Sequence, residues 1–231
     1  MTEKFSQVAR RSFLSRIGIG AAALGACVAA SAPTAAAQTN GFQPRRHTAD
    51  AWMDAPQASH RIVIDSSSAD NSGSALLFAA NTLIANKTGY NLDPSDIAII
   101  VVFRHDSTAF GYSDEIWGKY GEIISDLTDF KDPKTDTAPS TNLYNTDGYE
   151  SSLPSSGITI DILARQGVQF AICNMATQYL AESIAEKTKG DPVAIYRELI
   201  ANRIPNSHLA AAGVLAVNRA QEYGYTLLTA L

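Results

Sequence analysis

Seven consecutive apolar residues, Ile97-Ala98-Ile99-Ile100-Val101-Val102-Phe103, limit what this chain can fold into more than any other stretch. A strand with one wet face alternates apolar and polar side chains, whereas an unbroken run belongs to a strand buried on both faces. Both faces must then be covered by helices, which is the arrangement of a mostly parallel sheet inside an α/β sandwich.

The surrounding sequence supplies the other parts. Arg61 to Asp65 is a short β-branched run, followed by a polar turn from Ser66 to Ser74 and an apolar helical stretch from Ala75 to Ala85. Ser113 is a candidate N-cap for a short helix through Trp117 and Tyr120, two aromatics at helical spacing that read as packing residues, with an aromatic wall for an apolar ligand beside the His105 loop as the alternative. Asp126 to Pro154, rich in Asp, Thr, Pro, Ser and Asn, predicts a long surface loop. Gly157 to Arg165 predicts a helix, Val168 to Ile172 a strand ending at Cys173, and Thr177 to Lys187 another helix. Asp191-Pro192 opens a further helix with Asp as cap and Pro in the first turn. A short strand over 207–212, a helix over 213–222 and a last strand over 225–228 complete a sheet of about five strands.

At the N-terminus, Arg10-Arg11-Ser12-Phe13-Leu14 precedes a weakly apolar, Gly- and Ala-rich run from Ile17 to Ala30 and the small residues Ala35-Ala36-Ala37. This order predicts a twin-arginine signal peptide over residues 1–37, a mature chain beginning at Gln38, and a periplasmic protein. The apolar run is shorter than the roughly 18 to 20 residues that span a bilayer. Leu24-Gly25-Ala26-Cys27 resembles a lipobox, so the alternative is a chain lipid-anchored through Cys27. Residues 38–58 have no hydrophobic period and read as a flexible lead-in, with one domain over 59–231.

The signal segment carries four of the 18 basic residues and one of the 23 acidic ones, leaving 14 against 22. A surface of that sign disfavours nucleic acid and anionic lipid. Of the two cysteines, Cys27 leaves with the signal and Cys173 remains, so no intrachain disulfide is expected. A lone cysteine in an oxidising compartment is buried and inert, pairs with another chain, or is kept for its reactivity.

Three polar clusters fall at predicted strand ends, where α/β sheets carry their chemistry: Asp65 with Ser66 to Ser68, Arg104-His105-Asp106, and Cys173-Asn174. Cys173, just before a helix, is placed to have its thiolate favoured by the helix N-terminus; the plain alternative is a small buried packing residue. Arg104 offers a permanent cation for an anion or a thiolate, and His105 a proton-transfer group or a ligand. The plain alternative is a charged loop ion-paired with Asp114 or Glu115. His47, His60 and His208 lack metal-ligand spacing, so no metal is expected, although His105 with Cys173 leaves a metal or cofactor site open as an alternative. The serine-rich turn lacks both Gly-rich phosphate fingerprints, and no G-x-S-x-G elbow occurs; no nucleotide cofactor and no hydrolase nucleophile are expected.

Gln166-Gly167-Val168-Gln169-Phe170-Ala171-Ile172-Cys173-Asn174-Met175 and the later Ala212-Gly213-Val214 to Gly224-Tyr225 segment resemble the DsrE/DsrF-like sulfur-relay family. In that family a strand ends in a similar cysteine motif and a P-A-G-V segment leads into a helix; here Ala211-Ala212-Gly213 stands without the proline. The resemblance covers about residues 60–231 and implies a flavodoxin-like three-layer sandwich and a homo-oligomer. It also implies a strand-end cysteine, Cys173, that carries sulfane sulfur as a persulfide between a donor and an acceptor protein. A non-enzymatic module binding a small ligand or a partner is the reading of another class.

Overall fold

The computed structural model describes residues 43–231. The expected signal segment 1–37 and Cys27 lie outside the described residues. The rest is a three-layer α/β sandwich around a five-stranded, all-parallel sheet of order β4-β3-β2-β1-β5. The strands are β1 (His60–Ser66), β2 (Ile97–Phe103), β3 (Gln169–Cys173), β4 (Ser207–Ala210) and β5 (Thr226–Thr229).

The apolar run is the central strand. In β2 the side chains of Ile97, Ile99, Val101 and Phe103 enter one core, while Ile100 and Val102 enter the other. The first core is built by α1 (Ala69–Tyr90), α2 (Asp114–Thr128), α3 (Ile160–Arg165), α4 (Asn174–Thr188) and α5 (Pro192–Ala201). Because the chain winds from β1 to β4 in one direction, right-handed crossovers put all of these helices on one face. Only the return from β4 to β5 crosses the other face, through α6 (Gly213–Glu222), which brings Ala216 and Ala220 onto Val63, Ile100 and Val102.

One ten-residue helix cannot cover five strands, and residues 48–53, read as part of a flexible lead-in over 38–58, pack onto this face instead, while 38–42 lie outside the described residues. Thr48–Met53 is a short 3-10 helix whose Met53 is fully buried in the second core. Trp52 stacks flat on His208 of β4 at 4.1 Å. Tyr225 donates a hydrogen bond to the Met53 carbonyl at 2.9 Å, and Arg61 donates to the Ala55 carbonyl at 2.8 Å. The fold therefore starts well before His60.

Two helix starts also differ from expectation. α1 begins at Ala69, inside the segment read as a polar turn, because the Ser68 side chain accepts from the Asn71 N–H at 3.2 Å and caps it. α4 begins at Asn174, directly after Cys173, rather than at Thr177. The expected loop at 126–154 starts only after Thr128 and holds one 3-10 turn, Leu143–Asn145. It is fastened down: Asn142 donates to the carbonyls of Phe110 and Tyr112, both at 2.9 Å, and Tyr144 to that of Ala69 at 2.9 Å. Phe110, Trp117, Phe130 and Tyr144 form one aromatic cluster, so Trp117 is a packing residue, as its spacing suggests. Among the described residues no helix is long and apolar enough to cross a membrane.

Candidate functional site

The loops at the carboxyl ends of β3 and β4 part company. β3 runs into α4 on one face, and β4 runs into α6 on the other, which opens a crevice beyond the strand ends. In parallel sheets such a divergence is where ligands bind. A cavity of about 480 Å³ occupies it.

Cys173 lies on the floor of this cavity. It is the last residue of β3, paired with Ala210 of β4, and only 6 % exposed. Its sulfur accepts from the Ala176 N–H at 3.4 Å, so the side chain itself caps α4 and sits in the partial positive charge of the helix end. The backbone is held from below: Tyr112 donates to the Thr177 hydroxyl at 2.7 Å, and Thr177 donates to the Cys173 carbonyl at 2.8 Å. Burial among these groups pushes the Tyr112 phenol far above its ordinary value, so it remains a proton donor in this chain. Asn174, the other member of the sequence cluster, accepts from Tyr196 at 2.8 Å and ties α4 to α5.

Arg104 also lines the cavity, but its charge is matched within the protein. Its Nε and Nη2 donate to the two carboxylate oxygens of Asp65 at 2.7 and 2.8 Å, and Asp65 is buried. These hydrogen bonds foremost, then the charges of Asp65 and of a Cys173 thiolate, hold the guanidinium above its ordinary pKa against the opposing effect of burial. The expected alternatives for this loop, ion pairs to Asp114 or Glu115, are not formed. Asp114 accepts from the Asn142 N–H at 2.8 Å, and Glu115 pairs with Ser113.

His105 stands at the mouth in a left-handed backbone conformation, φ 55°, with its side chain 72 % exposed and Nδ1 3.0 Å from Asp106. The geometry thus brings Cys173, Arg104 and His105 to one cavity, with the thiol inside and the imidazole at the rim. Among the described residues no three His, Cys, Asp or Glu side chains converge as a metal site would need. The serines after β1 are structural: Ser66 donates to the Val102 carbonyl at 3.1 Å and Ser68 caps α1.

Sequence reasoning missed the apolar walls. Leu127 closes one side from the end of α2, Leu180 another from α4, and Met175, Tyr179 and Val214 form a rim in which each is 65 % exposed. It also missed Asp65 as the partner of Arg104. Gly213 sets the shape of the far wall, since a Cβ there would lie 2.3 Å from the Cβ of Arg104. Comparison of the chain with protein-family models, with curated proteins and with solved structures finds no match.

Proposed function

We propose that this protein is an exported, DsrE-like carrier of sulfane sulfur, with Cys173 as the atom that takes the sulfur. The observation that carries the reading is the position of the Cys173 sulfur, accepting a helix N-terminal N–H while facing a cavity at the point where the sheet's crossovers diverge. The thiolate is the form that attacks sulfur. The strand-end cysteine motif and the Gly213 segment, which resemble the sulfur-relay family, meet at this same cavity.

The transfer needs no outside oxidant. The Cys173 thiolate attacks the outer sulfur of a donor persulfide, a new S–S bond forms at Cys173, and the donor's S–S bond breaks with its electron pair leaving on the donor thiolate. Onward transfer is the same step with an acceptor thiolate. The closed Arg104–Asp65 pair stabilises negative charge on sulfur only at a distance, and His105 at the rim is placed to pass protons to solvent. A periplasmic location, a homo-oligomeric state and a protein donor or acceptor belong to this proposal.

The test is Cys173→Ser, because serine is itself a good N-cap and preserves the start of α4. Loss of reducible sulfur from the native protein, with an unchanged circular dichroism spectrum, is the expected result. Uptake that is unaltered in Cys173→Ser, or a native thiol that neither alkylates nor gains sulfur, would favour a binding module in which Cys173 only packs.

A further inference from the structure

We infer that the cavity above Cys173 receives a neutral, apolar small molecule, so that the sulfur donor is a low-molecular-weight organic persulfide with an uncharged apolar body; the donor half of this inference rests on the sulfur-carrier reading. Three features of the cavity select that class. Its walls are aliphatic or aromatic on three sides, from Leu127, Leu180 and the rim of Met175, Tyr179 and Val214. Its one permanent cation, Arg104, is already bonded twice to Asp65. The further ionisable groups that line it, His105 and Asp106, are paired with each other, Nδ1 3.0 Å from the carboxylate.

An anionic or zwitterionic ligand, such as a peptide thiol, would bring carboxylates and an ammonium against these apolar walls, where the Arg104 charge is already matched by Asp65. Moving a charge from water against apolar walls without a full set of partners is unfavourable, and that cost falls on the charged ligand alone. An apolar body instead covers the exposed rim and gains from every contact. A volume of about 480 Å³ lies within the range of pockets that enclose most of a small organic molecule. The mouth places such a body over the Cys173 sulfur, so its outer sulfur reaches the thiolate while its apolar end rests on Tyr179 and Val214.

Two pairs of probes separate the halves of the proposal. Binding is measured by calorimetry on Cys173→Ser with benzyl methyl sulfide and with S-methylglutathione, neither of which has a sulfur to transfer. We expect one saturable site, with the neutral probe tighter by about tenfold or more. Val214→Asp, a change at an exposed position, should weaken the neutral probe by a similar factor. Sulfur uptake is then followed by intact mass on the unaltered chain with benzyl persulfide and glutathione persulfide, each rate divided by its rate with free cysteine. We expect the benzyl donor to lead by about tenfold or more. Equal binding of the two thioethers, no saturable binding, or indifference to Val214→Asp overturns the cavity assignment. Equal normalised uptake overturns the donor class and leaves the carrier reading standing. Binding without uptake from either donor overturns the donor class, keeps the cavity as a site for neutral apolar molecules, and leaves the carrier reading to the Cys173→Ser comparison.

Discussion

Gly213 and Arg104 touch so closely that the missing side chain of one is the space occupied by the stem of the other, with 2.3 Å between an added Cβ and the Arg104 Cβ. Both residues are at strand-end loops, one opening α6 and one following β2. The close approach lets α6 start against the guanidinium stem and aligns it with Asp65.

Gly213→Ala should therefore do more than a helix-start Gly→Ala normally does, which is to stabilise slightly through the unfolded chain. Either α6 or the Arg104 stem must move, and overpacking of this kind costs about 1–3 kcal/mol. A lowered urea midpoint with an unchanged slope is expected. An equal or raised midpoint would show that the loop gives way freely.

The Arg104–Asp65 pair makes a second case. Asp65 is almost fully enclosed, its side chain 10 % exposed against 28 % for Arg104. Arg104→Met strands a carboxylate under the sheet ends, and a loss of about 2–3 kcal/mol is expected, below the fully buried case because Arg104 is partly wet. Adding Asp65→Asn to that variant should recover a good part of it, since the stranded charge is then gone. Equal stability of Arg104→Met and the parent in urea titration would reduce the pair to a surface contact.

Met53 tests the layer that the sequence concealed. A flexible lead-in residue would tolerate truncation within about 0.5 kcal/mol. Met53 is fully buried beside Val63 and Ile100, so Met53→Ala should cost about 2–4 kcal/mol. Thermal or urea unfolding decides between the two values directly.

These sites differ in how far they could be read beforehand. β2 was legible because seven apolar residues in succession leave only a strand with two buried faces, and β1 beside it follows from the short β-branched run Arg61 to Asp65. The end of β3 at Cys173 was legible because the short, mostly apolar run Val168 to Ile172 stops there, at a polar Asn174. The start of α1 was not: Ser66 to Ser74 is polar and small, and a capping serine inside a run of serines looks like a turn until the helix behind it is seen. The Arg104–Asp65 bond spans 39 residues and emerges only from the parallel register, in which Asp65 lies beside Val102 and Arg104 follows two residues later. Opposite charges at the ends of two neighbouring strands were the available signal. Met53 and Trp52 were hidden by the lack of period around them. They are needed because a winding that runs one way through four strands leaves a face that α6 alone cannot cover.

His208 gives the lead-in a dependence on pH. Its ring is stacked on Trp52 and its Nε2 is 2.9 Å from the Gln169 side-chain oxygen. Burial first, and the charge of Arg203 second, hold its pKa below the ordinary value of 6.5. As pH falls through that ordinary value, the unfolded chain takes up a proton that the folded ring still refuses. The stability gained from a neutral His208 is thus complete above about pH 6.5 and is lost as pH drops toward the folded-state value. Urea midpoints measured from pH 7.5 to 5.5 should fall, by no more than the one-proton limit of about 1.4 kcal/mol per pH unit for this group. His208→Phe keeps an aromatic ring against Trp52 but has nothing to protonate, so its midpoints should fall less steeply over the same interval. Parallel curves for the two proteins would mean that the ring is protonated as readily in the folded chain as in the unfolded one, and that Trp52 is held to β4 by packing alone.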